Sequence, residues 1–425
     1  MTMIEDAKNE IVRDEFQILS VQENIPIHKI FTEVAAGRLI LPKYTKYNKT
    51  ICGVGNLATS KVNLLVGGNT KQEDNAFELE KTKIGLRYGA DFITNQSTGP
   101  NKIEFRRRLR EEIDVPLTSI PILEAVSTTI KKEGTARIIP FEIILKTIET
   151  QLKEGMDALF LYSAVTQSVL KNLETSKRIM GLTSFPGAHV VSTMIESGEE
   201  NQLNANFDYI LELFHEYDAI ICLGSAIRPG CILDATDHVI FEELAEMGRL
   251  VRRALNANVQ IMVEAQKHAM MNLIDPIVRK RNEICLNVPN MTIGPLISDI
   301  SPGYDNITSA MGATASSMIA GTIITVTPPT IQIANPGFEE IRQGVISAKI
   351  AAHIADLYKD KQQAWEKEKQ MAHAKEEENW ERQYELSLDP RKARLLREYS
   401  PNTVTEKCKL CGDNECLIRK MKKTF

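Results

Sequence analysis

The 425-residue chain is 43% hydrophobic and 25% charged, with a formal net charge of −5. That composition supports a large buried core and gives no basic field that would draw nucleic acid. Its seven cysteines lack paired spacing, which argues against a disulfide framework and for a reducing, cytoplasmic setting.

Residues 1–50 read as a helical segment, with apolar positions at helical spacing that Pro42 ends. The opening run MTMIEDAKNEIVRDEF is charged throughout and has no apolar stretch of the signal-peptide kind. From 51 to 336 a rhythm repeats. Short β-branched runs at 62–66, 91–94, 117–122, 158–162, 189–191, 219–223, 260–263, 291–293 and 322–326 alternate with amphipathic stretches such as 141–153, 207–217 and 241–255. Successive βα units with strands buried on both faces predict a parallel sheet, and their number favours a closed (β/α)8 TIM-like barrel. No G-x-G-x-x-G opens a helix, so a dinucleotide fold is not indicated.

Polar residues cluster just after the runs, at 95–99, 224–230, 264–268 and 294–295. In a barrel these are the C-terminal strand ends, where active sites form. Ordinary turn chemistry accounts for the Gly, Pro and Ser among them. Arg228 and Glu264 are different, because a charge directly after a buried strand is costly unless it is paired or meets a ligand. The uncharged stretch 306–338 is long enough to span a bilayer, but its Thr, Ser and Gly content and its Pro328-Pro329 break predict a small-residue helix followed by a buried strand. Residues 337–395 read as a helical region, apolar on one face at first and then highly charged, closed by Asp389-Pro390. Residues 396–425 form a short arm carrying Cys408, Cys411 and Cys416 in the run KCKLCGDNEC.

Three thiolates so spaced imply a metal. They can hold three corners of a cubane 4Fe-4S cluster and leave one iron open for a substrate or cosubstrate. A zinc arm is the alternative, although structural zinc takes four ligands and no histidine follows the triplet. Idle thiols on a solvated arm are the third reading.

The chain resembles the ThiC family of radical S-adenosylmethionine enzymes. The markers are GADFITNQSTG (89–99), IRPGCILDATD (227–237), IGPLISDISPGYDNITSAMGA (293–313), VTP (326–328), KIAAHIADL (349–357), LSLDP (386–390) and the cysteine triplet. The resemblance implies that Cys408, Cys411 and Cys416 ligate a 4Fe-4S cluster that binds S-adenosylmethionine, fed by an electron donor. It also implies a dimer in which the cluster arm of one subunit serves the barrel of the other. The barrel residues depart from the family. Glu264 and His268 keep the glutamate and one zinc histidine of a Glu-Gly-Pro-Gly-His run, but the residues between differ. The place of the second zinc histidine holds Ile331 or Gln332, so a barrel zinc is doubtful. The family's phosphate-binding Ser-Arg-Gly run is Ser184-Phe185-Pro186, and its Asp-Gly-Leu-Arg run is 225–228, ending in Arg228. Positions at which the family presents Asn, Met, Tyr, His and Tyr to substrate are Leu65, Thr94, Leu123, Tyr162 and Met291 here.

An intact triplet with a rewritten pocket looks most like the 5-hydroxybenzimidazole synthase branch of the family. The implied reaction is a radical carbon–carbon lyase step that rebuilds aminoimidazole ribotide into 5-hydroxybenzimidazole for the anaerobic cobalamin lower ligand. A second ThiC-like subunit is expected as partner. The alternatives are a phosphomethylpyrimidine synthase of thiamine biosynthesis and a catalytically inactive partner subunit. Ser184, Ser225, Tyr162, Arg228 and Glu264 are the expected substrate contacts. Arg228 is assigned to an anion, Glu264 to polar or acid–base contact, and His268 to a residual metal ligand or base.

Overall fold

In the computed structural model, residues 1–43, 50–68, 75–399 and 421 are described. Eight parallel strands close into a barrel: β1 (Lys61–Val66), β2 (Phe92–Asn95), β3 (Leu117–Ser119), β4 (Ala158–Leu161), β5 (Ile220–Leu223), β6 (Ile261–Glu264), β7 (Asn290–Thr292) and β8 (Thr322–Thr325). The ring is sealed where β8 pairs with β1, Ile324 opposite Val62. These strands form where β-branched runs can bury both faces, one toward the barrel axis and one toward the surrounding helices. The helix His238–Asn256 shows how the outer layer docks. Val239, Ile240, Leu244, Met247, Leu250 and Val251 recur at three- and four-residue spacing and are buried. Asp237 caps its start by accepting the Val239 N–H.

The barrel's N-terminal end is plugged. Lys61 donates to Glu23 Oε1 at 2.6 Å, and the Ser60 N–H and hydroxyl donate to Asp356 at 2.9 and 2.8 Å. Gln260 and Leu41 exchange two hydrogen bonds of 2.8 and 2.9 Å beside them. One layer higher, Asn63 accepts from Thr94 Oγ1 at 2.8 Å and reaches Thr325 Oγ1 at 3.3 Å. Side chains therefore fill the lower barrel, as in other barrels of eight strands.

The expected run 189–191 is not a strand. It lies inside the helix Phe185–Ser197, which Ser184 caps and Gly198 ends in a left-handed conformation. The leading segment contains the expected helices, Met3–Lys8, Asp14–Glu23 and Ile27–Ala35, but also Leu39–Ile40, which pairs antiparallel with Val54–Gly55. The uncharged stretch is the helix Asp305–Ser317 followed by β8, and among the described residues no helix is long and apolar enough to cross a membrane. Asp389-Pro390 starts a helix, Pro390–Glu398, with Asp389 capping it and Pro390 at a first-turn position that needs no N–H.

The chain forms two compact units, residues 1–359 and 360–425. The first holds the barrel with its leading helices and the helix Phe338–Tyr358. The described part of the second consists of Gln362–Glu376, Trp380–Leu386 and Pro390–Glu398. Cys408, Cys411 and Cys416 lie outside the described residues.

Candidate active site

At the C-terminal mouth of the barrel a cavity of about 480 Å³ opens, walled by Leu65, Thr94, Ile120, Tyr162, Arg228 and Ile293 among others. That volume suits a small organic ligand. Leu123, Phe185 and Pro186 also line it, whereas Met291 lies in the filled layer, its sulfur 3.6 Å from Asn63 Nδ2. A second cleft, about 240 Å³, lies between the outer helices Phe141–Lys153 and Phe185–Ser197, away from the polar strand ends.

The mouth is organised by Glu264, the last residue of β6 and 6% exposed. One of its oxygens pairs with Arg228, and the other accepts the Ser225 N–H at 2.8 Å. Both oxygens are thus engaged, and Glu264 positions Arg228 and the turn after β5. The Arg228 guanidinium is pulled down by burial but held above its ordinary value chiefly by Glu264. Its backbone carbonyl is clamped by Arg178 Nη2 at 3.1 Å and Thr183 Oγ1 at 3.0 Å. Tyr162, at the end of β4, packs against the next strand so closely that a Cβ on Gly224 would lie 2.6 Å from its ring, so only glycine fits there. Burial and the Glu264 charge raise the Tyr162 phenol well above its ordinary value, and it stays neutral.

Ser184 is occupied as a helix cap, accepting the Gly187 N–H at 3.3 Å. The Ser225 hydroxyl donates to Glu243 Oε2 at 2.5 Å. Glu243, 1% exposed, was not anticipated from the sequence. It also accepts the Ala226 N–H at 2.7 Å and so holds the β5 turn from behind. Its signal was available, since it is a charge on the apolar stripe of the helix His238–Asn256.

Burial pushes the Glu243 carboxyl up to about 7 from an ordinary 4.5, against the hydrogen bonds from Ser225, Ala226 and Ile227. A carboxyl raised in this way holds a proton that the unfolded chain releases. Its stabilising contribution is therefore full below pH 4.5 and is lost as pH rises toward 7. Relative to Glu243→Gln, the wild-type protein should lose at most about 1.4 kcal/mol per pH unit across that window. Thermal unfolding from pH 5 to 8 measures this, and parallel profiles for the two proteins would refute it.

His268 is 1% exposed, with Nδ1 placed 3.1 Å from the Pro229 carbonyl. Nε2 has no hydrogen-bond partner and lies 3.7 Å from Asp299 Oδ1. Burial, and then the neighbouring Lys267 charge, lower its pKa, so it is the neutral ring with a free lone pair. A zinc ion would find only these two donors, because among the described residues no group of three or more His, Cys, Asp or Glu comes together. Gln332 and Ile331 do not supply the third; Gln332 donates to Asp305 Oδ1 at 2.8 Å instead. Two donors fall short of the three protein ligands of catalytic zinc sites, so the residues do not fit that metal. Zinc content after chelation and re-addition should be the same for wild type and His268→Ala. A stoichiometric zinc lost in the variant would contradict this.

Unsatisfied buried polar atoms gather at this end of the barrel: Arg178 Nε, Arg228 Nε, Gln266 Oε1, His268 Nε2, Ser301 Oγ, Asp305 Oδ2 and Thr330 Oγ1. Buried polar groups without partners are costly, and such a concentration marks where a polar ligand completes the hydrogen bonding. A (β/α)8 barrel with a polar, partly unsatisfied C-terminal mouth is an enzyme framework of the kind that encloses a small polar substrate. The chain belongs to the Radical SAM ThiC family, which it matches over residues 2–423. It is 37% identical to the phosphomethylpyrimidine synthase of Methanocaldococcus jannaschii, over 98% of both chains. It is 36% identical to phosphomethylpyrimidine synthase 1 of Methanosphaera stadtmanae, over 99% of this chain and 98% of the other. It is 32% identical to phosphomethylpyrimidine synthase 2 of Methanothermobacter thermautotrophicus, over 99% of both. These relatives carry the name of the thiamine alternative and none that of the 5-hydroxybenzimidazole branch.

Proposed function

We propose that the chain is a radical S-adenosylmethionine lyase acting on aminoimidazole ribotide, with phosphomethylpyrimidine synthase as the reaction. The observation that carries this reading is full-length membership in the ThiC family alongside relatives of that name. The cysteine chemistry supports it. Of the seven cysteines, Cys52, Cys222 and Cys285 are buried, and burial pushes their thiols up, Cys285 to about 12. Buried thiols of this kind remain protonated and inert. Cys231 stands apart from them with its thiol also raised, chiefly by burial. The triplet Cys408, Cys411 and Cys416 is left as the thiolate set, and its donor chemistry fits a 4Fe-4S cluster. When bound, that cluster supplies the electron that opens the sulfonium of S-adenosylmethionine. The barrel residues hold the substrate, with Arg228 fixed by Glu264 and Tyr162 presenting a neutral phenol, and the apolar wall excludes water from the reacting ribose.

A second reading, 5-hydroxybenzimidazole synthesis, is favoured by one specific feature. Leu65, Leu123, Phe185 and Pro186 give the cavity an apolar wall where family members carry polar contacts. Anaerobically reconstituted protein given aminoimidazole ribotide and S-adenosylmethionine decides between the two by the mass of the product. The same reaction run with a second ThiC-like subunit tests whether a heterodimer is required. A phosphomethylpyrimidine product is expected. Formation of 5-hydroxybenzimidazole would assign the second reading, and no product in any arm would leave the chain as an inactive partner subunit.

A further inference from the structure

We propose that Lys81 is a second cationic contact of the mouth cavity, opposite Arg228, and donates to an anionic oxygen of the bound ligand. The proposal rests on the reading that a ribotide and S-adenosylmethionine meet at this mouth.

Lys81 lies on the helix Asn75–Arg87 after β1 and lines the cavity with Gly67, Phe77 and Glu78. It is 7% exposed. Its ammonium donates to Glu78 Oε1 at 2.6 Å and stands 5.4 Å from the centre of the Phe77 ring. Both of these neighbours line the cavity, so the ammonium is held at its wall. Glu78 Oε2 accepts the Gly67 N–H at 2.8 Å, directly after β1. The carboxylate is therefore spent on fixing Lys81 and the turn. The same arrangement stands across the barrel, where Glu264 pairs with Arg228 and accepts the Ser225 N–H in the turn after β5. β1 and β5 are four strands apart in the ring of eight, which puts the two cations on opposite sides of the mouth.

An ammonium has three N–H donors, and among the described residues Glu78 alone accepts from this one. Donors kept nearly out of water without acceptors are costly unless a ligand takes them up. The charged residues that line the cavity are Glu78, Lys81 and Arg228. With both Glu78 oxygens engaged, the wall offers cationic donors and no free carboxylate, which selects for an anionic oxygen. The wall at Phe185 and Pro186 offers neither a charge nor, at Pro186, an N–H. Two ligands of the proposed reaction carry such an oxygen: the ribotide in its phosphate and S-adenosylmethionine in its carboxylate.

The test is anaerobic calorimetry on the full-length reconstituted protein. Wild type is compared with Lys81→Met and with the double variant Lys81→Met, Glu78→Gln. The single variant strands the Glu78 carboxylate and loses stability for that reason. The double variant removes both charges at similar shape, and its new amide still accepts the Gly67 N–H. Thermal unfolding checks that it is folded. The ligands form two pairs, aminoimidazole ribotide against its riboside and S-adenosylmethionine against its decarboxylated form, with ribose 5-phosphate as a further probe. In the double variant the anionic member of a pair should weaken by about 10- to 100-fold, the loss of one charge-assisted hydrogen bond, while its counterpart is unchanged. The pair that responds names the anion as phosphate or carboxylate. Ribose 5-phosphate binding that depends on Lys81, with no ribotide bound by wild type, would support the contact and remove the ribotide reading. The proposal is overturned if the double variant binds ribotide, ribose 5-phosphate and S-adenosylmethionine as wild type does, if the counterparts weaken in parallel, or if wild type binds none of the three.

Discussion

Replacement of Cys408, Cys411 or Cys416 by Ala should leave a folded barrel that no longer cleaves S-adenosylmethionine above background. The expectation has two parts. A cubane held by three thiolates keeps one iron for the cosubstrate, and removing a ligand destroys both the cluster and that open position. The barrel unit, residues 1–359, contains none of the three cysteines and has its own hydrophobic core, so its unfolding transition should not move. Iron content, release of methionine and 5′-deoxyadenosine, and thermal unfolding are measured on the same samples. Cleavage at the wild-type rate in any variant, or stoichiometric zinc with no iron in the wild type, would overturn the cluster assignment.

The second large effect is expected at the Arg228–Glu264 pair. Glu264→Leu strands a nearly buried guanidinium, and breaking such a pair from one side costs about 3–5 kcal/mol. Arg228→Met with Glu264→Leu removes both charges and should recover most of that loss. It should not recover all of it, because the Ser225 N–H still loses its acceptor, at about 1–3 kcal/mol. The double variant nevertheless lacks the cation at the mouth, so it should be stable and inactive. Denaturant unfolding and substrate binding together test the point. A double variant as unstable as Glu264→Leu would mean that the pair is not what holds the mouth together.

Most strands were legible because a parallel strand buried on both faces is usually a short apolar or β-branched run, although Ala158–Leu161 has no β-branched residue and Asn290–Thr292 is mostly polar. The failure at 189–191 shows the limit of that signal. Val190-Val191 is too short to carry a period, and the better guides were Ser184 as a cap, Pro186 in the first turn and Gly198 past the end. The pairing of Leu39–Ile40 with Val54–Gly55 was invisible for a similar reason, since two-residue strands have no alternation to read. At the site, Arg228, Glu264, Ser225, Tyr162 and His268 could be singled out because each lies at the end of a strand or in the short turn that follows it, where a polar residue is conspicuous. What the sequence did not reveal was their division of labour. Glu264 and Ser184 are consumed in holding other groups, and Glu243 acts from a helix one layer out. Hydrogen-bond partnership of this kind depends on tertiary proximity and leaves no trace in spacing.

The plug of Lys61, Glu23, Ser60 and Asp356 beneath the filled lower barrel has a consequence for turnover. Among the described residues, the packing at that end leaves the C-terminal mouth as the way into the chamber. Whatever enters for reaction blocks the exit of what was made before, so arrival and departure cannot overlap as they would in a tunnel open at both ends. Bulky products should therefore act as competitive occupants of the resting enzyme, and clearance of the doorway becomes a step that can limit the rate.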